Sequence, residues 1–209
     1  MFTRSRRRAS VSAIALLLAL GCSSDGTPPP DSPGSARAPD ELTVARLATT
    51  APPLEASTVS FWAIKGVAVE QKLYFLDAEG GRGEEYLSLR LEDESLRFRP
   101  DGSAFAEGDS VLITITVEDS ALLLFALEPT GLKFNANKQA VLRIRYAHAD
   151  DDLNGDGEID DEDDQVNSVL GIWRQEEPNR PFVRLGSVRV EDETLEAKLK
   201  GFSRYAIAY

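Results

Sequence analysis

The chain has 209 residues, 42% of them hydrophobic, and its 35 acidic and 23 basic side chains give a net charge of −12. This length and apolar content fit one folded domain with a tail. The acidic balance argues against a nucleic-acid partner, because phosphate backbones require an excess of Lys and Arg. A single cysteine and a single histidine exclude internal disulfides, Cys/His zinc clusters and paired-histidine metal sites.

The N-terminus has the composition of a secretory signal peptide. Residues 1–8 contain four arginines and no acid, and residues 11–20 form an apolar run that only Ser12 interrupts. Ten residues in a helix rise about 15 Å, which is roughly half the hydrocarbon thickness of a bilayer. The run is too short to span a membrane, and we predict that residues 1–21 are a signal peptide.

The sequence Ala-Leu-Gly-Cys at residues 19–22 contains the only cysteine of the chain. It resembles the lipobox of bacterial lipoproteins, except that Ala19 stands where the usual pattern has Leu. The resemblance implies cleavage before Cys22, lipidation of Cys22, and anchoring in the bacterial cell envelope, at the outer membrane or the periplasmic face. The alternative is an ordinary signal peptide followed by an incidental cysteine.

Residues 22–57 differ in composition from the rest of the chain. Seven of the eleven prolines lie here, among Ser, Thr, Gly and Ala. Such segments favour extended conformations and bury little apolar surface. We therefore predict a tether over residues 22–57 and a folded domain over residues 58–209.

From about residue 59 onward, apolar and polar residues alternate. The clearest runs are residues 87–91, 96–99, 111–117 and 142–146, and turn sequences rich in Gly, Pro and Asp separate them. Period-two alternation predicts strands with one buried face, and the absence of sustained helical periodicity argues against a βαβ fold. We predict an all-β domain, an antiparallel β-sandwich, with an acidic insertion.

Several phrases of this domain carry a family resemblance. Residues 95–104, the Glu-Pro-Thr-Gly-Leu-Lys-Phe sequence at 128–134 and the closing residues 202–206 resemble the β-sandwich domain shared by ankyrins, zonula occludens protein and netrin receptors, which also occurs in bacterial surface proteins. The resemblance implies a non-catalytic interaction module. The chain departs from this family in the acidic insertion that follows Tyr146.

The acidic insertion, residues 150–164, contains ten carboxylates and no basic residue. Within it, residues 152–163 read D-x-N-x-D-G-x-I-D-x-x-D, the pattern of the twelve-residue EF-hand calcium loop. An aspartate at place twelve, instead of glutamate, resembles the calcium loops of dockerins. The predicted Ca²⁺ ligands are side-chain oxygens or, at place seven, a backbone carbonyl: Asp152, Asn154, Asp156, Glu158 (carbonyl), Asp160 and Asp163.

Other residues of the loop have predicted structural roles. Gly157, at place six, is expected to adopt the backbone conformation of a sharp bend, and Ile159 is expected to point into the domain as an anchor. Residues 166–173 are expected to begin as a short helix and to continue as a strand. Two alternatives remain open: a solvated acidic loop without metal, and an acidic surface that recognises a basic partner.

Together, these patterns predict a calcium-binding, membrane-anchored envelope lipoprotein that acts as a non-catalytic interaction or structural module, not an enzyme. No nucleophile-elbow or phosphate-loop sequence is present. The rival prediction is a carboxylate-based hydrolase of envelope polymers, which requires a cleft with two acids of raised pKa away from the acidic loop. His148, at a strand end, is read as an ordinary polar residue.

Overall fold

The computed structural model describes residues 31–191 and 193–209. In this part of the chain, two antiparallel β-sheets pack face to face. The predicted all-β class and antiparallel sandwich are confirmed. The described strands are β1 (Ala36–Arg37), β2 (Thr58–Ile64), β3 (Val69–Leu76), β4 (Arg82–Leu91), β5 (Leu96–Phe98), β6 (Ser110–Val117), β7 (Leu124–Glu128), β8 (Lys133–Phe134), β9 (Ala140–Arg145), β10 (Gly171–Gln175), β11 (Phe182–Arg184), β12 (Ser187–Glu191), β13 (Thr194–Leu199) and β14 (Arg204–Ala208).

The two sheets differ in size. The larger has seven strands in the order β1-β11-β10-β14-β7-β6-β2, and the smaller has five in the order β12-β13-β9-β4-β3. Strands β5 and β8 pair separately as a two-stranded ribbon. The chain passes from the large sheet to the small one between β11 and β12, which leaves a cleft at that side of the sandwich.

The core lies between the sheets, and the period-two pattern predicts it correctly. Ile113 and Ile115 of β6 are fully buried, while Leu112 on the opposite face of the same strand is 45% exposed. From the small sheet, Leu142 and Ile144 of β9 enter the same core. Alternation therefore identifies both the strands and their inner faces.

The predicted tether is wrong for the residues that the structure describes. Strand β1 pairs with β11, and Leu42 and Ala45 are buried. The amide of Ala45 donates to the carbonyl of Ile207 at 2.9 Å, and its carbonyl accepts from the amide of Leu123 at 2.9 Å. Backbone hydrogen bonds and a few scattered apolar side chains together attach residues 31–57, so composition alone misjudges them. The predicted signal peptide and Cys22 lie outside the described residues.

One α-helix is present among the described residues, α1 (Asp161–Val169). It begins inside the acidic insertion and leads, through Leu170, into β10. The expected short helix followed by a strand is confirmed. The helix begins at Asp161, earlier than the expected residue 166, and the strand begins at Gly171. No helix in residues 31–191 or 193–209 combines the length and apolar character needed to cross a bilayer.

The Tyr86→Phe substitution is expected to raise the free energy of unfolding by about 1 kcal/mol, because a buried hydroxyl without a partner loses its hydration on folding. Tyr86 is fully buried, its hydroxyl has no hydrogen-bond partner, and burial raises the pKa of this phenol. Tyr205→Phe is the matched control, since the Tyr205 hydroxyl donates to the carbonyl of Gly201.

Urea denaturation of both variants measures these effects, and Tyr205→Phe should be destabilised. Equal destabilisation of the two variants would contradict the assignment of Tyr86. Because burial raises the pKa of Tyr86, the folded state holds the phenol proton more tightly than the unfolded state, which has no effect on stability below the ordinary tyrosine pKa. Above about pH 10 the unfolded state loses this proton first, so the free energy of unfolding is expected to decline. Tyr86→Phe should therefore flatten the decline.

Candidate metal centre

The acidic loop lies between β9 and α1 and is held to the domain at its beginning. The amide of Asp150 donates to the carbonyl of Arg46 at 2.9 Å, and the hydroxyl of Tyr209 donates to the carbonyl of Leu153 at 3.1 Å. Leu153 also packs against the main core. The entry to the loop is therefore fixed by the N-terminal segment and by the end of the last strand together.

Side-chain oxygens of the loop accept hydrogen bonds from the loop's own backbone. The two carboxylate oxygens of Asp152 accept from the amides of Gly155 and Gly157, at 2.7 and 3.0 Å. Asn154 Oδ1 accepts from the amide of Asp156 at 2.8 Å, and Asp156 Oδ1 accepts from the amide of Glu158 at 2.9 Å. The chain thus turns repeatedly around the side chains at places one, three and five.

The bend at place six has the predicted backbone conformation. Gly157 has φ +92°, in the left-handed region that glycine adopts without steric cost. Its amide reaches back to Asp152 only because of this bend. A side chain at this position would strain the turn that holds the loop together.

The far half of the loop forms the N-terminus of α1. Asp160 is the N-cap residue and accepts from the amide of Glu162 at 2.8 Å, and Asp163 occupies the third helical position in a capping box. Asp163 is only 4% exposed, and its oxygens accept from the amides of Asn154 at 3.1 Å and Asp160 at 3.0 Å. The hydrogen bond from the Asp160 amide and, to a smaller extent, the one from the Asn154 amide lower the pKa of Asp163.

Four of the six predicted ligands are thereby joined in one hydrogen-bonded unit: Asn154, Asp156, Asp160 and Asp163. Asp152 is tied to the same loop through the amides of Gly155 and Gly157. Glu158 joins it through its amide. As the side chains stand, no group of three or more His, Cys, Asp or Glu side chains in the described part of the chain is close enough to hold a metal ion. The donor atoms are nonetheless of one kind, carboxylate, amide and carbonyl oxygen, which is the set that fits Ca²⁺.

The prediction that Ile159 points into the domain and anchors the loop is wrong. Ile159 is 72% exposed and so does not point into the domain. Leu153, near the start of the twelve-residue pattern, and Val166, three residues after its end, pack against the core instead. All three are apolar residues flanked by polar ones, so the sequence offered no signal that separates Leu153 and Val166 from Ile159.

His148 packs at a strand end rather than in a catalytic group. Its ring meets Phe75 edge-on at a centroid distance of 4.7 Å, and Nε2 lies 3.3 Å from a carboxylate oxygen of Glu84. The ring also borders a cavity of about 390 Å³, lined in part by Pro52 and Pro53. Among residues 31–191 and 193–209, no serine or cysteine lines that cavity.

The hydrolase alternative requires a carboxyl group that stays protonated in an apolar setting. A cavity of about 790 Å³, at the crossing from β11 to β12, is lined by two carboxylates, Glu176 and Glu177. Their side chains are 75% and 68% exposed, and each faces an arginine, Arg174 or Arg180, at 3.4 and 3.7 Å. This cavity therefore gives the hydrolase prediction no support.

Comparison of the chain with protein-family models, with curated proteins and with solved structures found no match.

Proposed function

We propose that this chain is a calcium-binding lipoprotein of the cell envelope, whose β-sandwich acts as a non-catalytic interaction or structural module. The observation that carries the calcium proposal is the arrangement around Asp152 and Asp163. Asp152 accepts hydrogen bonds from the two glycine amides of the bend. Asp163, on the first turn of α1, accepts hydrogen bonds from one amide in each half of the loop. Carboxylates from the two ends of the loop are thus held beside its centre.

Electrostatics supports a cation at this place. Ten carboxylates lie in residues 150–164, and like charges so close repel one another unless counter-charge is present. Arg46 approaches the loop: a Cβ placed on Gly155 would lie 3.2 Å from its Nη2. One arginine does not balance ten carboxylates, whereas Ca²⁺ prefers six to eight oxygen ligands of this type.

The predicted role of the ion is to stabilise the loop, as in extracellular modules that bind Ca²⁺ at about 10⁻⁴–10⁻³ M. At a free concentration of 100 times Kd, binding adds about 2.7 kcal/mol to the free energy of unfolding. For a chain of this size, that corresponds to a rise in melting temperature of about 5–10 °C.

Calorimetric titration of the full chain with Ca²⁺ and thermal unfolding in millimolar Ca²⁺ test the proposal. The wild type should bind one ion and melt at a higher temperature, whereas the double variant Asp152→Ala, Asp156→Ala should lose both responses. The matched control is Asp161→Ala, Asp164→Ala, which removes the same charge from two exposed positions of α1. Absence of heat and of a melting shift in the wild type would overturn the calcium proposal, and an equal loss in the control would reduce it to a general charge effect.

A further inference from the structure

The cavity of about 790 Å³ lies where the chain crosses from β11 in the large sheet to β12 in the small one. Its walls include residues 33–36, the end of β10, β11 and the last residues of β13. This volume is within the range of small-molecule sites. The charged residues that line it are Arg174, Arg180, Arg184, Lys198, Lys200, Glu176 and Glu177.

The cations of this cavity exceed its anions, in a chain whose net charge is −12. Two arginines are matched by Glu176 and Glu177. Among the described residues, Arg184, Lys198 and Lys200 have no carboxylate within 4.0 Å in an ion pair. A cleft lined by unmatched charge of one sign concentrates the electrostatic potential and attracts ions of the opposite sign.

Two of the arginines are held in place by the fold. Arg174 Nε donates to Ser203 Oγ at 2.8 Å. Arg184 Nη1 donates to the carbonyl of Val169 at 2.9 Å, and its guanidinium lies over the ring of Trp173 at 5.6 Å. This approach needs glycine at position 171, since a Cβ there would lie 2.7 Å from Arg184 Cζ. Side chains that are ordered before binding lose less entropy when a ligand arrives.

We propose that this cleft binds a ligand bearing two or more phosphate charges. Guanidinium and ammonium groups both bind phosphate oxygens, and the excess of cations over carboxylates in the lining, with Lys198 and Lys200 in no ion pair, favours a ligand that carries more negative charge than one carboxylate. The apolar part of the lining, Pro33, Pro181, Val183 and Leu185, gives a non-polar portion of the same ligand a surface to contact. A soluble phosphorylated compound and a phospholipid headgroup share this chemistry.

Calorimetric titration of the full chain in calcium-free, low-salt buffer tests the proposal, with inorganic pyrophosphate as one probe and dihexanoylphosphatidic acid, below its micelle concentration, as the other; the phosphomonoester of this lipid carries close to two negative charges. The test variant is Lys198→Gln, Lys200→Gln. Both lysine side chains are exposed and make no hydrogen bond or ion pair with the described residues, and the substitution leaves their backbone pairings intact, so the variant should keep the melting temperature of the wild type. The control, Lys72→Gln, Lys138→Gln, removes the same charge outside the cleft.

At least one probe should bind one-to-one, with an affinity that falls at least tenfold in the cleft variant and changes less than twofold in the control. Tighter binding of pyrophosphate would assign the cleft to a soluble compound, and tighter binding of the short-chain lipid would assign it to a headgroup. The proposal is overturned if neither probe binds, or if the control loses as much affinity as the cleft variant. The calcium titration above is independent of this result.

Discussion

Replacing Cys22 by serine is expected to release the protein from the membrane completely. Lipidation requires the thiol, and Cys22 is the only cysteine of the chain. Each CH₂ of an acyl chain contributes about 0.8 kcal/mol to membrane binding, and two or more chains make the attachment stable. The Cys22→Ser variant loses this contribution entirely, which is a larger effect than any single side chain provides within the sandwich.

Phase partition in a non-ionic detergent, after expression in a bacterial host, measures this effect. The wild type should enter the detergent phase and Cys22→Ser the aqueous phase, while the neighbouring variant Ser23→Ala should behave as the wild type. A radioactive fatty acid should label the wild type and Ser23→Ala but not Cys22→Ser. If Cys22→Ser stays in the detergent phase unlabelled, the apolar residues 11–20 hold the protein instead, and the lipoprotein proposal fails.

Replacing Trp173 by alanine is expected to lower the free energy of unfolding by about 3–5 kcal/mol. The side chain is fully buried in a second apolar cluster with Leu42 and Phe182, and its Nε1 donates to the carbonyl of Ala208 at 3.0 Å. The guanidinium of Arg37 lies 5.8 Å from its ring. Truncation therefore opens a cavity, leaves a carbonyl without its donor, and removes the surface on which residues 31–45 pack.

Trp62 is the matched control for this substitution. It lies on the outer face of the edge strand β2, 61% exposed, and Trp62→Ala should cost less than about 1 kcal/mol. Urea denaturation gives both values, and Trp173→Phe, which keeps a ring but loses the N–H, should fall between them. Similar losses for the two tryptophans would contradict the assigned role of the second cluster.

The strands could be predicted from the sequence because each needs only its own pattern. Burial of Ile113 and Ile115 follows from their spacing, whatever strand lies beside them. Residues 31–57 could not be predicted in the same way. Their attachment depends on backbone groups of Leu123 and Ile207, which are distant in sequence and whose availability no composition reveals.

The loop was predictable in part for a related reason. Gly157 acts within a few residues, so spacing is enough to identify its bend. Spacing marked Asp160 and Asp163 only as ligands, and their capping of α1 was not predicted. The direction of Ile159 depends on how the whole loop leans relative to the sheets, and a lone apolar residue does not determine that. The cationic cleft was missed entirely, because its charges are spread over residues 174–200 and meet only through the crossing between sheets.

The packing of residues 31–57 on the sandwich shortens the connection between Cys22 and the fold. Only eight residues, 23–30, separate Cys22 from Asp31. Nine peptide steps span about 30 Å when fully extended. A lipid on Cys22 would keep Asp31 within about that distance of the bilayer, and Pro33 and Ala36, in the cavity wall, follow Asp31 closely along the chain. Phospholipid headgroups would then be among the first phosphates within reach of Lys198 and Lys200.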